Sequence, residues 1–377
     1  MNVERLETAA YRIPLAQPWG DQTHRVSHIE LIVADITASG GLTGTGFSYT
    51  VGVGGKAIQA LLDWDLAPKL VGEEVAPRAQ WHRLWTELHD IGGGGASTLA
   101  LAAVDIALWD LVAKEQGRPL VRVLGQVRPS IAAYGSGVNL HLGLAQLEEQ
   151  VSRWLEASYP GVKIKVGKPD LAEDLERLAA VRRLVGPSRL LMVDANQGWD
   201  VPAAARAIRA FAPFELYWVE EPLLSDDVQG HARLRQLVDT PLAIGENVYT
   251  RFQFNEYFAR GACDFVQADV IRVGGITPWL EIAALAQTWD LPMAPHFMVE
   301  ISGQLLCCIP NGRILEDVEG GSFRELGILA RDLGVRDGRF VPPSEPGHGV
   351  NFDEGVLAQY RLGDVPPRTA ERLWHAV

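Results

Sequence analysis

The sequence predicts an α/β chain: a (β/α)8-type barrel with an α+β domain before it and a turn-rich segment after it. Three observations predict this. From about residue 130, short β-branched and apolar runs alternate with amphipathic stretches of ten to fifteen residues, the pattern of a parallel sheet wrapped by helices. Eight such repeats fit between about residues 130 and 320, which points to a closed barrel rather than an open sheet. The first 125 residues lack that rhythm and read as strands followed by helices.

In chain order, "IELIVADI" (Ile29 to Ile36) is a strand, and "GGLTGTGFSYTVGVGG" is a hairpin running into a glycine-rich loop. Apolar residues at three- and four-residue spacing predict helices over Ala57 to Leu70, Pro77 to His89 and Ser97 to Gln116. The loop "IGGGGAS" lacks the Lys-Ser/Thr pair of a phosphate-binding loop and is expected to be a tight turn. The eight barrel strands are "IAAYGSG", "GVKIKVG", "RLLMVDAN", "LYWVEE", "LAIGE", "FVQAD", "LPMAPH" and "GRILE". Helices are expected between them at Gln146 to Ala157, Leu171 to Val185, Pro202 to Phe211, Val228 to Val238, Phe252 to Arg260 and Ile276 to Trp289. The units are therefore 1–125, 126–320 and 321–377, the last expected to fold back on the first.

Composition narrows the function. The 377 residues carry 34 Lys plus Arg against 47 Asp plus Glu, a net charge of -13 that argues against nucleic-acid and anionic-membrane partners, both of which need a basic surface. An anionic substrate must then be met by local positive charge. Cys263, Cys307 and Cys308 lie in apolar runs without metal-ligand spacing, which suggests a reducing compartment. The charged first fifteen residues do not resemble a secretion signal, and the apolar window Thr98 to Ala113, broken by Asp105 and Asp110, is expected to fall short of a membrane span. A soluble, cytoplasmic protein is the expectation.

Ionisable residues fall in phase with the repeat. Lys163 and Lys165 lie on the second strand, and Asp194, Glu220, Glu246, Asp269, His296 and Glu316 end the third to eighth, at steps of 29, 26, 26, 23, 27 and 20 from Lys165. Carboxyl ends of barrel strands open on one shared mouth, where barrel enzymes keep their chemistry. Each residue alone has an ordinary structural explanation, a helix cap or a solvated lysine; scattered caps would not also place cations on strands two and seven with acids between. Asp194, Glu220 and Glu246 form an all-oxygen set suited to Mg2+, because three crowded carboxylates without a cation would repel. Lys165 shares a strand face with Lys163, and a neighbouring ammonium plus burial would lower its pKa and make it a base. His296 stands opposite with Asp269 to orient its ring, and Glu316 is expected to donate a hydrogen bond to a developing oxyanion if its own pKa is raised.

This arrangement resembles the enolase superfamily, specifically its mandelate racemase subgroup, over essentially the whole chain. The matching strings are Lys-x-Lys in "VKIKVG", "VDANQGW" with Asp194 and Asn196, "WVEEP", "IGEN", "QADVIRVGGIT", "APHF" and the "LE" of Glu316. The resemblance implies a modified (β/α)8 TIM barrel with an N-terminal α+β capping domain completed by the C-terminal tail. It also implies Mg2+ and Lys163 stabilising the charge that forms when Lys165 or His296/Asp269 removes a proton α to a carboxylate, a chemistry for which this superfamily is a standard example. Two outcomes follow: racemisation or epimerisation of a 2-hydroxy acid, or loss of a β-hydroxyl to give a 2-keto-3-deoxy acid. The lid string "PWGDQTHRVSH", with Trp19, His24 and Arg25, is polar and favours a polyhydroxylated, doubly acidic substrate. Loops near Trp19 and Ser48 would cover the pocket, Arg25 or His24 could hold a distal carboxylate, and "GFSYT" with Tyr49, "KVGKPD", "DANQGWD" and "GGITP" are similar to the galactarate/talarate dehydratase branch; the candidate substrate contacts are Trp19, His24, Arg25, Tyr49 and Asn196. A small-molecule carboxylate substrate and a homo-oligomer are implied. "DVEGGSFRELGIL", downstream of Glu316, matches no branch clearly. A glycosidase reading through Glu220 or Glu221 lacks its second carboxylate on strand seven, where His296 stands.

Overall fold

The computed structural model describes residues 1–363, so the last fourteen residues of the expected C-terminal unit lie outside the described residues. The chain opens with a three-stranded antiparallel sheet, β1 (Val3–Gly20), β2 (Arg25–Ala38) and β3 (Thr43–Thr50), in the order β1-β2-β3. β1 escaped the sequence reading because Glu4, Arg5, Glu7 and Arg12 interrupt its pattern and obscure Val3, Ala10, Ile13 and Leu15, which are buried on the two faces of the strand. The helix expected over Ala57 to Leu70 forms as α1 (Gly55–Ala60), a π-helical segment (Leu61–Leu66) and α2 (Ala67–Leu70). α3 (Pro77–Leu88), α4 (Ala96–Glu115) and the short α5 (Leu120–Leu124) follow, and "IGGGGAS" is the turn joining α3 to α4.

α4 is long and apolar enough by length and composition to cross a membrane, contrary to the expectation that it would fall short, but most of its apolar window is buried inside the protein. Ile32, Ala34 and Ile36 of β2 meet Leu101, Val104, Leu108 and Leu111 of α4 in one core. The approach is close because Gly44 and Gly46 face the helix; a Cβ at Gly46 would collide with the backbone of Ala103 and Ala107. The other side of α4 grips the barrel, where Asp105 accepts hydrogen bonds from the Thr277 amide (2.8 Å) and hydroxyl (2.7 Å).

The barrel runs β4 (Ile131–Ser136), α6 (Leu144–Glu156), β5 (Gly161–Lys165), α7 (Leu171–Val185), β6 (Leu190–Asp194), α8 (Val201–Phe211), β7 (Trp218–Glu220), α9 (Val228–Arg235), β8 (Leu242–Ile244), α10 (Arg251–Ala259), β9 (Phe265–Val266), α11 (Ile276–Thr288), α12 (Val299–Leu306) and β10 (Leu315–Val318). Neighbours from β4 to β9 pair in parallel, and β10 pairs with β4 to close the ring. The seventh position is not a full strand: Met293 alone bridges Val266 on one side and Gly312 on the other. Tyr134, Met192, Trp218, Ala243, Phe265, Ala294 and Ile314 fill the barrel axis as one apolar cluster.

Beyond β10, a small hairpin, β11 (Val335–Arg336) and β12 (Arg339–Phe340), adds antiparallel to β4. The segments on either side of this hairpin pack on the first sheet, where Phe323 before it and Phe352 after it lie edge-on to Phe47 (5.0 and 5.7 Å), and α13 (Glu354–Leu357) leads to Leu362, whose amide donates to the Ala10 carbonyl.

Candidate active site

Strand register levels the ionisable ends: Lys165 pairs with Asp194, and Asp194 with Glu220. Because side chains alternate along a strand, Lys163 and Lys165 both turn inward while Ile164 faces the helices. One carboxylate oxygen each from Asp194, Glu220 and Glu246 lie within 4.8 Å of one another, and all three residues are buried. The set is anionic and all-oxygen, the donor chemistry of a hard dication. Positive charge is short there: burial pushes the Glu220 carboxyl above its ordinary range, and Asp194 and Glu316 push it further against the pull of Lys163. The residues present thus fit a bound Mg2+.

The lysines are deeply paired. Lys163 bonds Glu220, lies 2.6 Å from Glu316 and 3.8 Å from Asp194, while Lys165 bonds Asp194. Burial alone would lower both ammonium pKa values, but the carboxylates outweigh it and hold both above the ordinary value, Glu220 and Glu316 for Lys163 and Asp194 for Lys165. Among the protein groups alone Asp194 counts for more than the neighbouring ammonium, opposite to the lowered Lys165 expected from burial and Lys163. Glu316 is also corrected. Burial favours its neutral form, yet Lys163 and His296 depress its carboxyl to about 2, so it is an ionised acceptor, bonded by Lys163 and the Phe297 amide (3.1 Å), and not a donor.

His296 and Asp269 form the expected pair, with His296 Nδ1 2.7 Å from Asp269 Oδ2. Asp269 Oδ1 accepts from the amides of Ile271 (2.7 Å) and Arg272 (3.0 Å), so the carboxylate is anchored on one oxygen and holds the imidazole with the other. That contact puts the proton on Nδ1 and turns Nε2 towards Glu246 Oε2, 3.5 Å away. Burial opposes the imidazolium, but Glu246 and Asp269 raise its pKa above the usual histidine value.

One cleft joins these groups to the first domain: Trp19, His24 and Tyr49 line it together with Lys165, Asn196, Glu246, His296 and Glu316. Of the expected substrate contacts, Arg25 is the exception. Its guanidinium donates to the carbonyls of Asp21 (2.5 Å) and His24 (2.8 Å), bracing the loop and turning it off the cleft wall. His24 stays at the rim, its pKa raised chiefly by its hydrogen bond to Asp21. Tyr49 spends its hydroxyl hydrogen on Asp269 Oδ2 (2.6 Å). Asn196, with φ of 43°, donates its amide to Asp194 (2.8 Å). Apolar side chains unread in the sequence complete the wall, among them Val26, Val51, Val138, Phe297 and Val318.

Several supporting residues were also missed. Gln267 and Trp218 both donate to Glu220 Oε2 (2.5 and 3.2 Å), and Arg272 Nη1 reaches the Glu246 carbonyl (2.9 Å), its carboxylate (3.2 Å) and Asn247 Oδ1 (2.5 Å). Buried Glu221 accepts from Asn247 at 3.0 Å on each oxygen. A signal existed for Gln267: it stands two residues before Asp269, the same spacing that places Lys163 behind Lys165.

Comparison with known proteins accords with this geometry. The mandelate racemase / muconate lactonizing enzyme N-terminal domain matches residues 5–125, and the enolase C-terminal domain-like model matches residues 146–356. A 3,6-anhydro-alpha-L-galactonate cycloisomerase of Streptomyces coelicolor is 38% identical, covering 96% of this chain and 100% of that protein. An L-talarate/galactarate dehydratase of Salmonella typhimurium is 37% identical over 93% of this chain and 89% of its own. Among solved structures, a racemase from Streptomyces coelicolor with bound magnesium superposes with a TM-score of 0.92 at 37% identity, covering 96% of this chain and all of that one. An L-talarate dehydratase from Polaromonas in complex with Mg and L-glucarate gives 0.87 at 36% identity, covering 96% of this chain and 98% of that one. With the buried acidic triad, these assign Mg2+ as the cofactor, held by Asp194, Glu220 and Glu246.

Proposed function

The chain belongs to the enolase superfamily, in its mandelate racemase/muconate lactonizing enzyme group, and on that premise we propose that it dehydrates a sugar acid, an aldarate such as galactarate or talarate, to a 2-keto-3-deoxy acid. One observation carries the proposal: an amine, Lys165, and a carboxylate-oriented imidazole, His296, open on the same cleft beside a metal-binding triad. When bound, Mg2+ supplies positive charge for the substrate carboxylate as it gains electron density, and draws charge from the acids that otherwise hold Lys165 protonated. Lys163, kept protonated by Glu220 and Glu316, adds a second fixed positive charge. Lys165, as the free amine, takes the α-proton. The β-carbon–oxygen bond then breaks with its electron pair on oxygen, and His296 gives that oxygen its proton, releasing water. The enol left behind loses its hydroxyl proton, gains one at the β-carbon, and becomes the ketone.

A second reading has an observation of its own. With Arg25 turned away and Trp19, Val26, Val51, Val138, Phe297 and Val318 on the wall, the cleft offers less cationic surface for a distal carboxylate than the lid string suggested. This suits a monoacid whose β-oxygen is part of an anhydro ring; the same two proton transfers would then open the ring and conserve mass. The deciding experiment offers aldarates and anhydro-aldonates with Mg2+, following semicarbazide-reactive product and its mass. Loss of one water supports dehydration, an unchanged mass supports ring opening, and α-proton exchange in deuterated water without keto acid makes the enzyme a racemase or epimerase instead.

A further inference from the structure

Tyr49 stands on β3 of the capping domain, yet its hydroxyl is bonded to the barrel. It donates to Asp269 Oδ2 at 2.6 Å, the same oxygen that holds His296 Nδ1 at 2.7 Å. The other oxygen of Asp269 is fixed by two backbone amides, so Tyr49 is the one described side chain besides His296 that bonds this carboxylate. The phenol is buried, its ring stands edge-on to Phe297 at 5.0 Å, and Phe297 follows His296 directly in the chain. We propose that Tyr49 is a positioning residue: the capping domain supplies the hydroxyl that fixes the orientation of Asp269, and through it the direction in which His296 Nε2 points.

A carboxylate oxygen that accepts two converging hydrogen bonds has little freedom to rotate, and partners of this kind, one bond removed from the reacting group, set ring orientation and tautomer. Because the second donor comes from the other domain, the proton donor for the departing oxygen is completed only where β3 sits against the barrel mouth. The same residue cannot use its hydrogen on substrate while it holds Asp269, which separates this role from that of a substrate contact.

The inference rests on the His296 role proposed above, and the test separates the two. In the Mg2+-loaded enzyme, Tyr49→Phe keeps the ring against Phe297 and removes the hydroxyl. We expect kcat for elimination to fall about tenfold or more, with KM within about twofold and Lys165-driven α-proton exchange retained, tenfold being about 1.4 kcal/mol of barrier. In enzyme labelled with 15N-histidine, the Nδ1–H proton resonance of His296, assigned by its loss in His296→Asn, should move in Tyr49→Phe. Tyr49→Leu, which removes the ring as well, shows whether packing is what matters. Full kcat in Tyr49→Phe with loss only in Tyr49→Leu would overturn the hydroxyl's role, as would a raised KM at unchanged kcat, the mark of a substrate contact. If His296→Asn itself eliminates at the wild-type rate, the proposed function has failed, and the Tyr49 inference with it.

Discussion

Replacing Glu246 with Gln neutralises one of three carboxylates whose oxygens lie within 4.8 Å of one another. At an effective dielectric of about 20, two unit charges at 4.8 Å repel by roughly 3.5 kcal/mol, and a dication among the three oxygens lies closer to each and carries twice the charge, so its attraction to each carboxylate is at least on that scale. Retaining the shape and losing the charge should therefore weaken Mg2+ binding by at least about a hundredfold, near 2.7 kcal/mol. Titration calorimetry reads this directly and thermal melting reads it independently. At free Mg2+ about a thousandfold above the wild-type Kd the ion adds about 4.1 kcal/mol to stability; a hundredfold weaker site leaves roughly 1.4 kcal/mol, so the magnesium-induced rise in melting temperature should shrink by about two thirds. Turnover should vanish at Mg2+ concentrations that saturate the wild type. A Glu246→Gln protein that still binds one Mg2+ with wild-type affinity and turns over would refute the assignment of Asp194, Glu220 and Glu246 as the ligand set.

The proton donors and the rim offer further checks. His296→Asn should abolish keto-acid formation by at least about a thousandfold while leaving Lys165-driven exchange of the α-proton visible by NMR in deuterated water; survival of both would show that the pair is misassigned. His24→Ala should raise KM for a diacid several-fold and Arg25→Ala should leave it unchanged, since Arg25 is engaged by loop carbonyls; the reverse order would put Arg25 back in the cleft. Because Asp21 raises the His24 pKa, the imidazolium is present below that raised value and is lost as pH rises through it. KM for a diacid should climb across that interval in the wild type and stay flat in His24→Ala. Burial would raise the Glu316 carboxyl, but Lys163 and His296 depress it to about 2, so it is ionised above that pH; its contribution to stability is present above the ordinary carboxyl value and fades as pH falls towards about 2. Glu316→Gln should lower kcat yet leave the acid limb of the activity profile in place, and a shift of that limb by a full unit would contradict the ionised state.

The legible part of this molecule is the part that repeats. Strand ends recur every twenty to thirty residues, so Lys165, Asp194, Glu220, Glu246, Asp269, His296 and Glu316 could be read as one mouth even though the seventh strand shrinks to a bridge at Met293. Position in the repeat says where a residue stands and very little about its protonation. Lys165 was expected to be lowered by burial and the Lys163 ammonium, and Glu316 to donate only if its own pKa were raised; the protein groups around each lean the other way. Lys165 meets Asp194 as well as Lys163, and Glu316 meets Lys163 and His296 in a site where burial alone would have kept it neutral.

What the sequence hid is contact between the two domains, which no period announces. β1 was lost behind its own charges, Arg25 was expected to hold a distal carboxylate from its place in a polar lid string, and the string "GFSYT" gave no sign that Tyr49 has a partner on the barrel. The structure engages Arg25 with the Asp21 and His24 carbonyls, off the cleft wall, and bonds Tyr49, which does line the cleft, to the Asp269 carboxylate. These are long-range choices, 220 residues apart for Tyr49 and Asp269, made by how β3 docks on the barrel through α4 and its Asp105–Thr277 contact. The cleft wall mixes Trp19, Val26, Val51, Val138, Phe297 and Val318 with polar groups, and the cations that face it, His24, Lys165, Arg272 and His296, are a better guide to whether a second carboxylate is accommodated than the composition of the lid string.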